Sequence, residues 1–316
     1  MQIVILDAYS VNPGDLDWDG LKQLGSLSAY DRTHPDMVAQ RLMGADAVFV
    51  NKVHIGEEEL AKANRLKFIG VLATGYDIVD IKAAQRHGIT VCNIPAYSTE
   101  SVAQMTIALL LEICNNVGHH SREVHRGRWT NSPDFCFWDT PLIELNGLTF
   151  GIIGCGRTGS ATARIASSFG MKVIGYSRTK HDGFVGKQVD SVDELLREAD
   201  IVSLHCPSTE ETRGMVNATF ISKMKDGAIL LNTARGNLLE EIDVADALND
   251  GKLYALGMDV ASREPISRSN PLLTADNCII TPHIAWAPLA ARRRLVNIAT
   301  ENLKAFIDGK PINVVS

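Results

Sequence analysis

FGIIGCGRTG, residues 150–159, is the stretch that decides the fold of this chain. An apolar strand pattern from Leu148 to Ile153 runs into the spacing Gly154-x-Gly156-x-x-Gly159, and a helical pattern follows through Phe169. A lone glycine pattern is weak, but a strand before it and a helix after it are the context in which it indicates nucleotide binding. The stretch therefore predicts a dinucleotide site in the middle of the chain.

Each glycine of this loop has a physical reason for its place. Gly154 suits a tight turn, Gly156 lets the backbone approach a pyrophosphate, and Gly159 lets the helix pack against the strand. Arg157 and Thr158 begin the helix, whose unpaired N–H groups and positive dipole end favour phosphates. The alternatives for the glycine loop alone are a methyltransferase or a plain structural turn.

Size and composition are those of a globular protein with room for two domains. The 316 residues are 45% hydrophobic and 22% charged, with a formal net charge of −6. That charge, without a basic stripe, argues against nucleic acid as a partner. The longest apolar block, Ile107–Leu111, is too short to cross a bilayer, and the chain opens on a strand pattern at Gln2–Leu6 rather than on a signal segment. We expect a cytoplasmic protein without a membrane partner.

The cysteines and histidines do not form a metal-binding pattern. Six cysteines are scattered without a CxxC pair, which favours reduced thiols over a disulfide framework or a zinc site. His119, His120 and His125 lack zinc-type spacing with a further ligand. Cys155, inside the glycine loop, has the size of a filler beside the helix. We therefore expect no metal.

Alternating strand and helix patterns run along both halves of the chain and indicate parallel sheets. In the first half, helical patterns such as Asp36–Met43 and Ile78–His87 lie among strand patterns at Ile3–Leu6, Ala47–Val50, Phe68–Leu72 and Thr90–Asn93. The second half has six strand patterns, at Leu148–Ile153, Lys172–Tyr176, Ile201–Leu204, Ala228–Leu231, Ala255–Met258 and Cys278–Thr281. The prediction is an α/β protein with two Rossmann-like or flavodoxin-like doubly wound parallel-sheet domains and a cleft between them.

Helix signals indicate where the domains meet. Ser98 suits the N-cap of a long helix with one apolar face, and a capping box at Ser191–Glu194 predicts another helix start. A last helix, from Leu289 to Asp308, stops at Gly309 and follows the sixth strand, so it can return to the first domain. We expect residues 1–97 plus 289–316 to form one domain and residues 98–288 to form the dinucleotide-binding domain.

Residues 118–147 lack strong periodicity and are rich in aromatic side chains, including Trp129, Phe135, Phe137 and Trp138. So many aromatic groups in a loop suggest an arm that packs on another surface. We predict that this arm joins two copies of the chain in a homodimer.

Three ionisable residues follow successive strand patterns of the second half: Arg235, Glu264 and His283. Ligands of open α/β sheets bind at the carboxyl ends of strands, so we expect these side chains to face one crevice. An arginine can clamp a carboxylate, a histidine can carry a proton near neutral pH, and a nearby carboxylate favours the imidazolium. The set suits hydride reduction of a 2-keto acid. The alternatives are a structural histidine, a helix-capping arginine and a solvated loop acid.

The chain resembles the NAD(P)-dependent D-2-hydroxyacid dehydrogenases nearly from end to end, and within them the glycerate dehydrogenase (hydroxypyruvate reductase) branch. Besides the glycine loop, the resemblance is carried by LATGYD at 72–77, IPAYS at 94–98, NTARG at 232–236, Glu264-Pro265 and PHIAW at 282–286. It implies reversible reduction of hydroxypyruvate to D-glycerate, with a small 2-keto or 2-hydroxy acid as the substrate.

The resemblance also implies roles for single residues. Arg235 binds the substrate and its carbonyl, Glu264 pairs with the histidine, and His283 acts as acid and base. The substrate contacts are Ala73, Thr74, Gly75, Arg235 and His283. The implied cofactor contacts beyond the glycine loop are His205, Cys206, Pro207, Thr233, Ala234 and Asp259, the last of them with the nicotinamide amide.

One departure from the family pattern concerns the choice between NAD and NADP. Members that use NAD commonly carry an acid at the end of the second strand of this domain, where it holds the ribose hydroxyls. Ser177 stands near that place, 18 residues beyond Gly159, and Arg178 follows it. The missing negative charge and the added cation suit a 2′-phosphate, so we favour NADP. The alternative is NAD, with Arg178 as a solvated surface residue.

Two further functions stay open. The same chemistry would serve glyoxylate or another small 2-keto acid, and dinucleotide-sensing corepressor-type proteins also resemble these dehydrogenases. The intact set of Arg235, Glu264 and His283 argues for catalysis over binding alone.

Overall fold

Two compact units make up the chain in the computed structural model, which describes residues 1–316. Unit 1 comprises Met1–Ser98 and Ala287–Ser316, and unit 2 comprises Thr99–Trp286. Each unit has its own parallel sheet flanked by helices. The predicted α/β class with two parallel-sheet domains is confirmed.

Unit 1 contains five parallel strands in the order β2-β1-β3-β4-β5. The strands are β1 Gln2–Ile5, β2 Ser26–Ala29, β3 Ala47–Val50, β4 Phe68–Val71 and β5 Thr90–Cys92. The helices, numbered along the whole chain, are α1 Asp19–Lys22, α2 Pro35–Leu42, α3 Glu57–Ala61, α4 Ile81–Arg86 and α11 Leu289–Ile307. This order is flavodoxin-like, and it reverses direction between β1 and β3.

Unit 2 contains seven parallel strands in the order β12-β11-β10-β9-β6-β7-β8. The strands are β6 Thr149–Ile153, β7 Lys172–Tyr176, β8 Lys187–Gln188, β9 Ile201–Leu204, β10 Ala228–Asn232, β11 Leu253–Met258 and β12 Cys278–Ile280. The helices are α5 Thr99–Asn115, α6 Val117–His125, α7 Arg157–Ser168, α8 Val192–Glu198, α9 Ala218–Ser222 and α10 Glu241–Asn249. The order reverses between β6 and β9, so the switch point of a Rossmann-type sheet lies beside the glycine loop.

Burial explains which strands the sequence pattern revealed. β3, β4, β9 and β10 are buried at every position, as expected for strands covered by helices on both faces. β2 has no buried residue and β8 has only two residues, and both lie at sheet edges. Neither shows an apolar run, so the prediction of six strands in the second half was one strand short.

The structure adds one helix that was not predicted and confirms the predicted helix start after Ser191, without its capping box. The stretch from residue 118 onward does not begin as a loop, because α6 occupies Val117–His125. Asn116, with φ of 46°, separates this helix from α5, and α6 buries no residue, so it shows no apolar stripe. At α8 the Ser191 hydroxyl caps the N–H of Glu194 at 3.1 Å, but the Glu194 carboxylate accepts from Asp190 at 3.3 Å and does not complete a capping box.

No helix has both the length and the apolar character that a membrane span requires. All six cysteines are unpaired thiols. Burial raises the pKa of the Cys92 and Cys114 thiols to about 11, which makes these two side chains poor nucleophiles.

Asp7 ties the end of β1 to the end of β3 in unit 1. Its side chain is buried, and its Oδ1 accepts the N–H of Asn51 at 2.8 Å. Its Oδ2 accepts the N–H groups of Lys52 and Val53 at 2.6 and 3.1 Å. A buried carboxylate is tolerated when hydrogen bonds replace its water, and here they fix the chain as it leaves β3.

Replacing Asp7 with alanine should therefore destabilise unit 1. Three N–H groups lose their acceptor at once, and we expect a loss of about 2–4 kcal/mol in the free energy of unfolding. Urea denaturation followed by circular dichroism measures it. Asp31→Ala, at an exposed aspartate without a side-chain hydrogen bond, is the control and should change stability by less than about 0.5 kcal/mol. Equal stability of the two variants would contradict this account of Asp7.

Candidate active site

The glycine loop between β6 and α7 is constrained by packing at two of its three glycines. Gly154 has φ of +104°, and a Cβ there would lie 2.6 Å from the backbone carbon of His205. A Cβ at Gly159 would lie 2.1 Å from the carbonyl oxygen of Gly154. At Gly156, by contrast, a Cβ would meet nothing within 4 Å. The loop is thus closed on the protein side at two glycines and open at the third, which leaves room for a ligand beside the backbone.

A cleft of about 300 Å³ opens at this loop. It lies at the carboxyl ends of β6, β7 and β9, where the strand order of the sheet reverses. The predicted cofactor residues that line it are Gly154, Gly156, Ser177, Arg178, His205, Cys206 and Pro207. Arg157, Thr158 and Gly159 form the first turn of α7, which no side chain caps. The helix N-terminus is therefore available to an anion.

Arg178 lines this cleft, and the carboxylate of Glu211, which does not line it, lies near enough to respond to its charge. The Ser177 hydroxyl donates to the carbonyl of Thr179 at 2.6 Å, while Arg178 lines the cleft. Sequence reasoning missed Glu211, whose pKa is held below its usual range chiefly by the hydroxyl of Thr209 and, to a smaller extent, by the charge of Arg178. Arg178 thus has a nearby acid, Glu211, that comes from a distant part of the sequence.

His205 contributes an uncharged ring to the same cleft at neutral pH. Burial lowers its pKa to about 4, although part of the residue still faces the cleft. Its Nε2 lies 2.9 Å from the hydroxyl of Ser203. Burial also raises the pKa of the neighbouring Cys206 thiol, so this wall of the cleft carries no charge.

At the β11–β12 side of the same sheet, His283 and Glu264 form a direct pair. Nδ1 of His283 lies 2.7 Å from Oε2 of Glu264, and Oε1 of Glu264 accepts the N–H of Ala261 at 3.2 Å. The two residues follow β12 and β11, which are neighbours in the sheet. The contact at Nδ1 leaves Nε2 as the nitrogen that can face a substrate.

Asp259 holds the loop that carries His283. Its side chain is 1% exposed. Its Oδ1 accepts the Thr281 hydroxyl at 2.5 Å and the N–H of Ile284 at 2.9 Å, and its Oδ2 accepts the N–H of Ala285 at 2.8 Å. His283, at the centre of this loop, has φ of 55°, a left-handed conformation that is uncommon outside glycine. Sequence reasoning did not foresee this positioning role, and the implied contact of Asp259 with the nicotinamide amide stays a prediction.

The loop of Arg235 packs against the segment of Glu264. Arg235 is exposed, and its Nη1 donates to the carbonyl of Ala234 at 2.8 Å. A Cβ at Gly236 would lie only 1.9 Å from the backbone carbon of Ala261, so glycine is required for this close approach. The loops of Arg235, Glu264 and His283 are therefore gathered at the carboxyl ends of adjacent strands in unit 2.

Two polar residues whose roles were not predicted from sequence, Asn232 and Thr106, fix the loop before Arg235. Asn232 is fully buried and bonds both to the N–H of Ala234, at 3.1 Å, and to the carbonyl of Arg235, at 2.9 Å. The Thr233 hydroxyl lies 2.8 Å from that of Thr106 on α5. An asparagine at the end of a wholly apolar strand was the available signal for the first of these. No comparable signal marked Thr106.

In unit 1, the predicted substrate loop Ala73–Gly75 follows β4 and is held by the chain beyond β5. The carbonyl of Ala73 accepts the N–H of Ile94 at 3.0 Å, and the Thr74 hydroxyl donates to the carbonyl of Ile94 at 2.8 Å. Asn93 adds a bond from its side chain to the carbonyl of Thr74, at 2.8 Å. Three hydrogen bonds thus hold the loop at the carboxyl edge of the unit 1 sheet.

The chain is similar to known proteins in both sequence and structure. Residues 107–285 match the model of the NAD-binding domain of D-isomer-specific 2-hydroxyacid dehydrogenases. A hydroxypyruvate reductase of Blautia hydrogenotrophica is 53% identical over 321 aligned residues, which cover 100% of both chains. A glycerate dehydrogenase of Methylorubrum extorquens is 39% identical over 283 residues, covering 89% of this chain and 88% of its own.

The fold agrees with these sequence matches. A structure of D-lactate dehydrogenase from Aquifex aeolicus, complexed with NAD and lactic acid, superimposes with a TM-score of 0.83 at 34% identity, covering 98% of this chain and 96% of the other. Sequence and structure agree over almost the whole length, and the chain belongs to the D-isomer-specific 2-hydroxyacid dehydrogenase family.

Proposed function

We propose that this protein reduces hydroxypyruvate to D-glycerate with a nicotinamide dinucleotide as the hydride donor. The observation that carries the proposal is the 2.7 Å contact between Nδ1 of His283 and Oε2 of Glu264, in a member of this family. Full-length similarity to a hydroxypyruvate reductase supports the choice of substrate. In this proposal unit 2 binds the dinucleotide. The N–H groups of Ala73–Gly75 stay the predicted contacts of the substrate carboxylate.

The residues around the glycine loop fit a dinucleotide. The open face at Gly156 admits a pyrophosphate, and the uncapped first turn of α7, from Arg157, offers it N–H groups. The uncharged wall formed by His205, Cys206 and Pro207 suits the rest of the cofactor. When bound, the nicotinamide supplies the hydride that adds to C2 of the keto acid.

His283 supplies the proton in this proposal. As hydride adds to C2, the electron pair of the carbonyl bond moves to the oxygen, which takes a proton from Nε2 and leaves a neutral imidazole. Glu264 holds the ring at Nδ1, which leaves Nε2 for the substrate. Arg235 binds the substrate carboxylate and stabilises the charge that develops on the oxygen. The reverse oxidation uses the same groups, with His283 as the base.

Turnover with the purified protein tests the proposal directly. Hydroxypyruvate, glyoxylate and pyruvate would each be supplied with NADH and with NADPH, and oxidation of the cofactor would be followed by absorbance. We expect hydroxypyruvate to give the highest kcat/KM. Dinucleotide binding without turnover of any keto acid would favour a corepressor-type binding protein instead.

Changes at the histidine pair should separate chemistry from binding. His283→Ala is expected to lower kcat about 10²–10⁴-fold, because it removes the proton donor. Glu264→Gln keeps the shape of the side chain but loses its charge. In this variant kcat should fall by less than in His283→Ala, because the proton donor is still present but its ring is held less firmly. Steady-state rates measured at saturating cofactor report both effects.

Cofactor binding is the control for these two variants. Neither substitution touches the glycine loop, so the Kd for the reduced cofactor should stay within about twofold of the wild-type value. Wild-type rates in both variants would refute the assignment of the pair.

We also propose that NADP is the preferred cofactor, with Arg178 binding its 2′-phosphate. Arg178→Ala should then weaken NADPH binding about 3- to 10-fold and leave NADH binding nearly unchanged, since only NADPH offers a phosphate to this exposed cation. Titration calorimetry with both cofactors measures the difference. Lys180→Ala is the control, because Lys180 lies two residues further on and faces Asp190 at 3.6 Å. Equal losses for NADH and NADPH would contradict the proposal.

Finally, we propose that two copies of the chain pair through residues 118–147 together with α5. Phe135 is 89% exposed and Trp138 is 62% exposed, an unusual exposure for large apolar groups so close in sequence. Sedimentation velocity should show a dimer for the wild type and a monomer after Phe135→Asp with Trp138→Asp. Ile242→Asp, at an exposed apolar side chain on α10, should leave the dimer intact. A monomeric wild type would refute the pairing.

A further inference from the structure

Unit 2 has a second cavity, of about 450 Å³, to which the roles above give no function. It is lined by the segments that follow β9, β10 and β11 and by the first turn of α10. It shares no lining residue with the cofactor cleft. Small-molecule sites in proteins have about this size, so the chemistry of its walls indicates what it can bind.

Two arginines of this cavity have no carboxylate partner. Arg213 and Arg263 line the cavity and are exposed, and neither makes an ion pair. Arg128, by contrast, pairs with Asp139 elsewhere in the unit, at 2.5 Å. A guanidinium has a fork of N–H donors that matches a carboxylate, and no protein carboxylate occupies these two. Both arginines are therefore available to an anionic group of a ligand.

Two acids at the start of α10 lie against the segments that carry these arginines. Glu241 is fully engaged, because the N–H and the hydroxyl of Ser262 donate to its two oxygens at 3.0 and 2.7 Å. Glu240 lies against the backbone beside Arg213, since a Cβ at Gly214 would be 2.1 Å from its Oε1. Glu240 lines the cavity but makes no ion pair and no hydrogen bond through its side chain. Its carboxylate is therefore left for a cationic group of a ligand.

A buried amide independently indicates a ligand at this cavity. Asn270 is 8% exposed and lines the cavity. Its Oδ1 accepts the N–H of Leu272 at 3.0 Å, but its Nδ2 has no acceptor in the protein. Buried polar groups are nearly always hydrogen-bonded. An oxygen of a ligand in the cavity would supply the missing acceptor.

The cavity also has an apolar side. Ile242 lines it and is 67% exposed, and Pro271 belongs to the same lining. An apolar group bound there would remove part of the Ile242 side chain from water. The walls thus combine two free cations, one free acid and an apolar surface.

We propose that this cavity binds a free α-amino acid with an apolar side chain. Arg213 and Arg263 bind its carboxylate, with Asn270 as a further donor, Glu240 binds its ammonium, and its side chain covers Ile242. A purely anionic ligand such as inorganic phosphate suits these walls less well, because Glu240 would repel it. The site is separate from the groups assigned to the cofactor and to the keto acid.

Leucine is the probe for this site, and a ligand-detected NMR titration of the full chain measures its binding. We expect a Kd of about 1 mM, which is typical of so small a ligand on an open site. Leucinamide lacks the carboxylate and 4-methylpentanoate lacks the ammonium, so each should bind at least about fivefold more weakly. Inorganic phosphate should also bind more weakly than leucine. No leucine binding at about 10 mM, or equal Kd values for leucine and 4-methylpentanoate, would overturn the proposal.

Substitutions in the walls test the assigned contacts. Replacing Arg213 and Arg263 together with methionine should raise the Kd of leucine at least about tenfold, because the carboxylate loses both cations. Glu240→Gln should remove most of the preference for leucine over 4-methylpentanoate. Arg268→Met is the matched control, because Arg268 is an exposed arginine on the same segment after β11, makes no ion pair and does not line the cavity. Equal Kd values in the control and in the double variant would refute the role of the two arginines.

The proposed substrate site also offers an arginine to a carboxylate, and Arg235→Met separates the two sites. Arg235 does not line this cavity, so the Kd of leucine should stay within about twofold of the wild-type value in that variant. Leucine binding that is lost in Arg235→Met and kept in the double variant would place the amino acid in the substrate site and overturn the proposal. These measurements follow binding alone, so a failure of the proposed reductase activity would not affect them.

Discussion

The candidate active site depends on the hydrogen bonds that the buried carboxylate of Asp259 accepts. A charge with so little exposure would be costly without partners, and the segment from Thr281 to Ala285 supplies three of them. The carboxylate and the loop therefore stabilise each other. The loop in turn keeps His283 in a left-handed backbone conformation, from which the ring meets Glu264 at 2.7 Å. Asp259 acts on the site by holding this geometry, whatever else it contacts.

Short polar side chains also accept backbone N–H groups at other strand ends in both units. A chain that leaves a parallel sheet has backbone N–H groups that the next strand no longer satisfies. Asp7 accepts three of them beyond β3, and Asn232 accepts one beyond β10. Short polar side chains can make these bonds because they stay close to the backbone. Longer side chains at the same edge, such as Arg235, extend beyond it. Short polar side chains thus hold the loops by bonding to the backbone, and long side chains extend far enough to contact a ligand.

This division explains what could be predicted from sequence. The apolar runs gave both sheets except the edge strands β2 and β8, which have too little burial to show a pattern. The order of Arg235, Glu264 and His283 after successive strands indicated a shared crevice, and the structure brings Glu264 and His283 into contact. The positioning bonds were not predictable in this way. The bond between Thr106 and Thr233 depends on how α5 packs against the sheet, which no local spacing encodes.

The charges at the cofactor cleft could not be predicted from sequence either, and they limit how strongly the protein can prefer NADP over NAD. His205 is uncharged at neutral pH, because burial lowers its pKa to about 4, so the ring adds no attraction for a phosphate. Arg178 is then the cation of this cleft that a 2′-phosphate would meet, and Glu211 lies near enough to feel its charge. An exposed cation is screened by salt, and interactions of this kind contribute little. A preference for NADP that rests on Arg178 should therefore be modest and should weaken as ionic strength rises.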